Sequence, residues 1–288
     1  MNAASLSRYI LTLSCSDRPG IVGAVGTFLA EHHGNIVESA QFGDVDTNRF
    51  MMRVCFERLV GAPDEATLRD AFGVVAARFG MLWELHDALV RPRVLLMVSK
   101  LDHCLNDLLY RYKVGALAMN PVAIVSNHRD TCQLAASYDV PFHHLPVTAA
   151  TKDVQEAKLG VLIEETGAEL LVLARYMQVL SNHLCAKLAG RAINIHHSFL
   201  PSFKGAKPYQ QAHARGVKLI GATAHYVTPE LDEGPIIEQE VARVTHGMSV
   251  EELVSVGRDV ECQALARAVR YHVERRVFLN GQKTVVFR

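Results

Sequence analysis

The 288-residue chain has no excess of charge of either sign, no long apolar run and no closely spaced cysteine pair. Thirty Lys and Arg balance thirty Asp and Glu, so no electrostatic argument favours nucleic acid or an anionic membrane as a partner. No apolar segment reaches the roughly 18 residues that cross a bilayer. Residues Met1 to Arg8 carry no signal-like apolar core, and a cytoplasmic protein is expected. The six cysteines, Cys15, Cys55, Cys104, Cys132, Cys185 and Cys262, are scattered without a CxxC spacing, which argues for free thiols over a disulfide framework or a zinc site. HExxH, GxGxxG, GxxxxGKS/T and GxSxG patterns are all lacking. That argues against a zinc protease, a dinucleotide fold, a phosphate-binding loop and a serine-nucleophile hydrolase. The adjacent pairs His32-His33, His143-His144 and His196-His197 would point to opposite faces of a strand, and no metal is expected.

What is present is a hydrophobic content of 49% with 21% charged residues, ordinary for a globular protein with a sizeable core. Two patterns meet near residue 90. In the first, Tyr9 to Ser14 alternates as a strand, and Ser16-Asp17-Arg18-Pro19-Gly20 turns the chain, with Asp17 a candidate helix N-cap. Ile21, Val22, Val25, Phe28 and Leu29 recur at helical spacing, and His33-Gly34-Asn35 ends the helix. Residues 36–42 and 49–57 read as strands, 63–79 as a helix and 81–86 as a last strand. The predicted order is βαββαβ, a ferredoxin-like unit over residues 1–87.

A linker at 88–92 leads into residues 93–288. Apolar runs at 93–99, 122–125, 142–145, 169–173 and 192–195 alternate with helical patterns at 101–112, 129–138, 152–166 and 178–188. A long helix is predicted over 249–275. Alternation of this kind predicts an α/β, Rossmann-like domain with a mainly parallel sheet. Ligands of such sheets bind beyond the carboxyl ends of the strands. Asn194 and His196 lie at such an end and, two residues apart on a strand, project to one face. Asp232 sits in a second turn, Leu231-Asp232-Glu233-Gly234-Pro235, after the apolar run that ends at His225-Tyr226-Val227. An amide, an imidazole and a carboxylate together suffice for acyl hydrolysis or transfer without a metal. Asn-x-His alone, or Asp-Glu-Gly-Pro alone, is equally compatible with a structural histidine or a plain turn.

Asp17-Arg18-Pro19-Gly20-Ile21-Val22, with Gly34-Asn35-Ile36 before the next strand, resembles the ACT domain. The resemblance implies a regulatory or dimerising module, with Asp17, Arg18, Gly20 and Ile21 as candidate contacts for an amino-acid effector. Backbone N–H groups at a helix start suit a carboxylate. Asn194-Ile195-His196, Ser198 to Gly205 and His225 to Ile237 resemble the folate-dependent formyltransferase family. That resemblance implies catalysis by Asn194, His196 and Asp232. It also implies a pterin pocket from Met177, Gln178, Val179 and Leu180, with Gly205, Lys207, His225, Thr228, Pro229 and Glu230 as further substrate contacts.

Ser99-Lys100-Leu101-Asp102-His103-Cys104 stands where transferases of the family hold an acceptor phosphate on Gly-Ser-Asn. With the ACT-like module and Gly205-Ala206-Lys207-Pro208-Tyr209, this makes the chain similar to the hydrolytic members. They split 10-formyltetrahydrofolate into formate and tetrahydrofolate, supplying formate for purine synthesis and one-carbon balance. Folate is then substrate, no cofactor is required, and a homo-oligomer, dimer or higher, is implied. In this scheme Asp232 is the base for water, a protonated His196 paired with it donates to the formyl oxygen, Asn194 supplies a second donor, and the Lys100 to Cys104 segment closes the acceptor side. Formyl transfer to an amine is the alternative, and a folate- or amino-acid-sensing protein without turnover is the non-enzymatic one.

Overall fold

The computed structural model describes residues 7–200 and 208–288. By contact the chain divides into two units, residues 1–91 with 274–280 and 285–288, and residues 92–273 with 281–284. The sequence pattern placed everything after residue 93 in the second domain; residues 274–280 and 285–288 instead group with the first unit. Within that unit Arg276 Nη1 reaches Glu38 Oε1 at 2.7 Å, a long-range ion pair that periodicity cannot announce.

In the first unit the order is β1 (Arg8–Ser16), α1 (Ile21–Glu31), β2 (Gly34–Asp44), β3 (Arg49–Arg58), α2 (Glu65–Phe79) and β4 (Leu82–Asp87). The strands form a sheet in the order β2-β3-β1-β4, so the expected βαββαβ unit is present. Alternate residues Tyr9, Leu11, Leu13 and Cys15 of β1 enter one core, as the two-residue period of a strand requires. Ile21, Val25, Phe28 and Leu29 of α1 meet them, one stripe of a 3.6-residue period. Phe72 of α2 packs edge-on to both Phe28 and Trp83. Truncating Phe72 to Ala would cost about 3–5 kcal/mol. Asp64 caps α2 by accepting from Thr67 N at 2.8 Å. Asp17 does not cap α1: the helix begins after Gly20, whose φ of 95° needs a residue without Cβ.

The second unit holds a seven-stranded sheet in the order β11-β10-β9-β8-β5-β6-β7. Its strands are β5 (Arg93–Val98), β6 (Asn120–Ser126), β7 (Phe142–His144), β8 (Leu170–Leu173), β9 (Ala192–His196), β10 (Leu219–Tyr226) and β11 (Ile236–Arg243). The pairings β5–β6, β6–β7, β5–β8 and β8–β9 are parallel. Those of β9–β10 and β10–β11 are antiparallel. Val94 to Val98 and Leu170 to Leu173 are buried throughout, the mark of strands covered on both faces.

The helices are α3 (His103–Lys113), α4 (Cys132–Ala136), α5 (Lys152–Thr166), α6 (Asn182–Lys187), α7 (Pro208–Ala214) and α8 (Val250–Val273). The helix predicted over 178–188 starts only at Asn182, because Ser181 caps it by accepting from Leu184 N; Met177 to Leu180 stay outside as loop. The chain ends in a two-stranded hairpin, β12 (Val277–Asn280) and β13 (Lys283–Val286), too short to register as a periodic signal. All six cysteines are free, as the spacing implied. Among the described residues no helix is long and apolar enough to cross a membrane.

Candidate active site

The β9–β10 ladder sets the site. Its antiparallel register places His225 directly opposite Asn194 and Thr223 opposite His196. Side chains of facing residues approach within contact, and Asn194 Nδ2 lies 3.3 Å from His225 Nε2. His225 Nδ1 is 2.8 Å from the carbonyl of Tyr226. That carbonyl can only accept, so Nδ1 carries a proton and donates. Thr223 Oγ1 donates to Ser198 O and accepts from Leu200 N, both at 3.1 Å, which pins the chain leaving β9.

Asp232 arrives from the loop between β10 and β11. Its φ of 58° is a left-handed conformation, tolerated by Asp better than by most residues. Two residues on, Gly234 lies so close to β10 that a Cβ there would sit 1.7 Å from Tyr226 O and 3.2 Å from His225 Nδ1. Only glycine lets this loop fold back, and the fold-back carries the carboxylate to the histidines. Asp232 Oδ2 is 3.1 Å from His196 Nδ1 and Oδ1 is 3.7 Å from His225 Nε2.

Burial pushes the Asp232 carboxyl up, but hydrogen bonds from His196 and His225, and the charge those rings carry when protonated, outweigh it and hold the group well below the ordinary carboxylate range. The Nε2 of His196 is buried and, among the described residues, has no hydrogen-bond partner. Burial, then the cation of Arg175 and the neighbouring His196, lowers His197 to about 4. His197 is therefore neutral at pH 7, its ring stacked 5.1 Å from that of His196.

These groups line a cavity of about 650 Å³, within the range of small-molecule sites. Asn194, His196 and Asp232, the three expected to do chemistry, converge on it, with His225 between the amide and the carboxylate. Met177, Gln178, Val179 and Leu180 form one wall, and Thr228, Pro229 and Glu230 another. Met177 and Val179 are exposed, while Leu180 is buried. Met177 N donates to Ser99 Oγ at 2.9 Å, and Ser99 Oγ donates to Asn127 Oδ1 at 2.7 Å, which ties that wall to the ends of β5 and β6. Thr228 Oγ1 donates to Glu230 O at 3.0 Å and shapes the other. Gly205 and Lys207 lie outside the described residues.

The candidate effector contacts sit in the first unit. Asp17 and Arg18 are exposed at the β1–α1 turn, the Arg18 guanidinium lying 4.6 Å from the Phe79 ring centre. The side chain of Ile21 is in the core, 2% exposed, so only its backbone remains available to a ligand.

One group in the cavity wall gave no sequence signal. Glu261, midway along α8 and 1% exposed, accepts from His103 Nε2 and from Tyr209 Oη, each at 2.7 Å. Arg175 Nε lies 3.3 Å from the same carboxylate. Burial raises the Glu261 carboxyl, but the His103 bond, the Arg175 charge and the Tyr209 bond outweigh it and hold it below its ordinary value. A lone Glu within a helix reads as solvent-facing; the one available hint was its place among Leu253, Gly257, Val260, Ala264 and Leu265 of α8. His103, Cys104 and Glu261 offer three possible metal donors within 4.8 Å of one another. The Arg175 cation competes for the carboxylate that such an ion would need.

Residues 92–269 match the Formyl transferase family and residues 9–72 the ACT domain family. The chain is 54% identical over 282 residues to a formyltetrahydrofolate deformylase of Corynebacterium sp. (strain P-1), covering 98% of each. It is similar to the crystal structure of a formyltetrahydrofolate deformylase from Burkholderia mallei, with a TM-score of 0.94 and 57% identity over 98% of this chain and 100% of that one. A glycinamide ribonucleotide transformylase from Symbiobacterium toebii matches less of the chain, 69% of it and 95% of its own, at a TM-score of 0.64 and 27% identity.

Proposed function

The chain belongs to the formyl transferase family, with an ACT domain ahead of the catalytic unit, and from that premise we propose that it hydrolyses 10-formyltetrahydrofolate to formate and tetrahydrofolate. The observation that carries the reading is the His196–Asp232 pair, whose outer nitrogen Nε2 is buried without a partner among the described residues at a cavity of about 650 Å³. The near full-length likeness to formyltetrahydrofolate deformylases supports water as the acceptor.

The pterin lies along Met177 to Leu180 and is closed over by Thr228 to Glu230. The formyl group is an amide on an arylamine nitrogen, whose lone pair the ring partly withdraws, so the C–N bond breaks more readily than an alkyl amide. Water must lose a proton as it attacks. Asp232, ion-paired at 3.1 Å, holds His196 as the neutral Nδ1–H tautomer, which leaves the Nε2 lone pair facing the cavity. The proton of the attacking water goes to that nitrogen, while Asp232 stays anionic. This differs from the expectation that Asp232 is itself the base and His196 the protonated donor to the formyl oxygen. Water oxygen bonds to the formyl carbon and an oxyanion forms, stabilised by an N–H of Asn194. Nε2–H then returns the proton to the departing nitrogen, the C–N bond breaks, and formic acid loses its proton to solvent. His225 holds Asn194 and Asp232 in register.

The chain works without a cofactor in this reading, in the cytoplasm, as a homo-oligomer, with an amino-acid effector at the turn of Asp17, Arg18 and Gly20. The test is incubation of the purified protein with 10-formyltetrahydrofolate alone. Formate and tetrahydrofolate appear in equal amounts; formyl release only when an amine is added overturns hydrolysis in favour of transfer, and binding without turnover overturns both.

A further inference from the structure

We infer that the buried cluster of Glu261, His103, Arg175 and Tyr209 excludes amine acceptors, and so determines that water takes the formyl group. The inference rests on the hydrolytic reading and asks what enforces it.

All four side chains line the same cavity as His196 and Asp232. A primary amine attacking the formyl carbon there would need room beside the carbon and an acceptor for its N–H groups. Glu261 is the group suited to that task, a carboxylate 1% exposed in the cavity wall. It is fully engaged by its own chain. Oε1 accepts from Tyr209 Oη, and Oε2 takes His103 Nε2 with Arg175 Nε beside it. His103 opens α3 and lines the cavity with its ring bonded to Glu261, so it fills space that a shorter side chain would leave open.

The helix is shaped for this closure. Gly257 lies four residues before Glu261, on the same face of α8. A Cβ there would stand 2.2 Å from Tyr209 Oη and 2.3 Å from its ring carbon Cζ. The tyrosine can reach Glu261 only because that position is glycine. Arg175 is held with φ of 65°, a left-handed conformation that costs of order 1–3 kcal/mol where the surroundings impose it. Among the described residues neither its buried Nε nor its Nη1 has a hydrogen-bond partner, and Nε stands 3.3 Å from Glu261 Oε2 as an ion pair. The backbone thus delivers a cation to Glu261 rather than completing a hydrogen-bond network. These are positioning residues that act by exclusion and do not handle the migrating proton.

The transfer being excluded is balanced. Amine nitrogen bonds to the formyl carbon, the bond to the folate nitrogen breaks, and the amine proton passes to that nitrogen, giving a formamide and tetrahydrofolate.

The test gives the wild type, His103→Ala and Tyr209→Phe 10-formyltetrahydrofolate with glycinamide as the probe amine, and measures the ratio of formylated glycinamide to formate. This ratio is not moved by a mere loss of folded protein. The wild type forms formate only. His103→Ala raises the ratio by about tenfold or more, the scale of one net hydrogen bond, and Tyr209→Phe raises it less. Formylated amine without formate from the wild type overturns both this inference and the hydrolytic reading, and formylated amine alongside formate overturns this inference alone. Formate from the wild type with an unchanged ratio in both variants overturns this inference alone. Loss of all turnover in both variants also overturns it, because the cluster would then take part in the chemistry.

Discussion

His196 presents its two nitrogens to different worlds: Nδ1 lies 3.1 Å from Asp232 Oδ2, while Nε2 is buried with no hydrogen-bond partner among the described residues. One nitrogen is fixed so that the other can move a proton. The carboxylate is the anchor, its own affinity for protons suppressed by the two histidines that flank it.

Asp232→Asn should therefore be far more damaging than its near-isosteric shape suggests. The amide frees the imidazole to adopt the wrong tautomer, and loss of the carboxylate behind a catalytic histidine lowers kcat by about 10⁴. Single-turnover release of tetrahydrofolate measures it. Turnover within tenfold of wild type would remove Asp232 from the mechanism.

Asn194→Ala should lower kcat by about 10²–10³, the scale of one oxyanion donor, with KM changed little because the donor acts on charge that develops in the transition state. A change confined to KM would place Asn194 in ground-state binding instead.

Gly234→Ala tests the fold-back of the loop. The methyl group would stand 1.7 Å from Tyr226 O, so the loop must move and draw Asp232 from His196. Activity should fall as far as in Asp232→Asn while the circular dichroism spectrum stays native. Full activity would show that another route positions the carboxylate.

His197 sets a pH dependence of stability. Its ordinary value of 6.5 falls to about 4 in the folded chain. Between these values the unfolded chain binds the proton and the folded chain does not, so stability rises with pH across this window and is lost as pH falls through it. Asp232, also depressed, loses its contribution in the same direction but at lower pH. Denaturation midpoints from pH 7 to 4 should thus decline less steeply in His197→Gln. Parallel curves for the two proteins would refute the assignment.

Much of this was legible in the chain itself. Alternation along β1, the helical stripe of α1 and the continuous apolar runs of β5 and β8 are local patterns, and local patterns specify elements. The strand end bearing Asn194 and His196 and the loop bearing Asp232 were legible because turn residues follow apolar strands. The C-terminal residues that group with the first unit, through Arg276 and Glu38, were not, since a pair separated by most of the chain leaves no periodic trace.

What the sequence alone determined was the inventory: two α/β units and the amide, imidazole and carboxylate, because burial periodicity and turn chemistry are properties of neighbouring residues. What only the tertiary structure decided was how those groups share protons. Strand register put His225 opposite Asn194, a glycine contact brought Asp232 to two histidines rather than one, and α8 buried Glu261 among His103, Arg175 and Tyr209. Proton affinity depends on the dielectric and the charges within a few ångströms, and those are fixed by which distant segments meet.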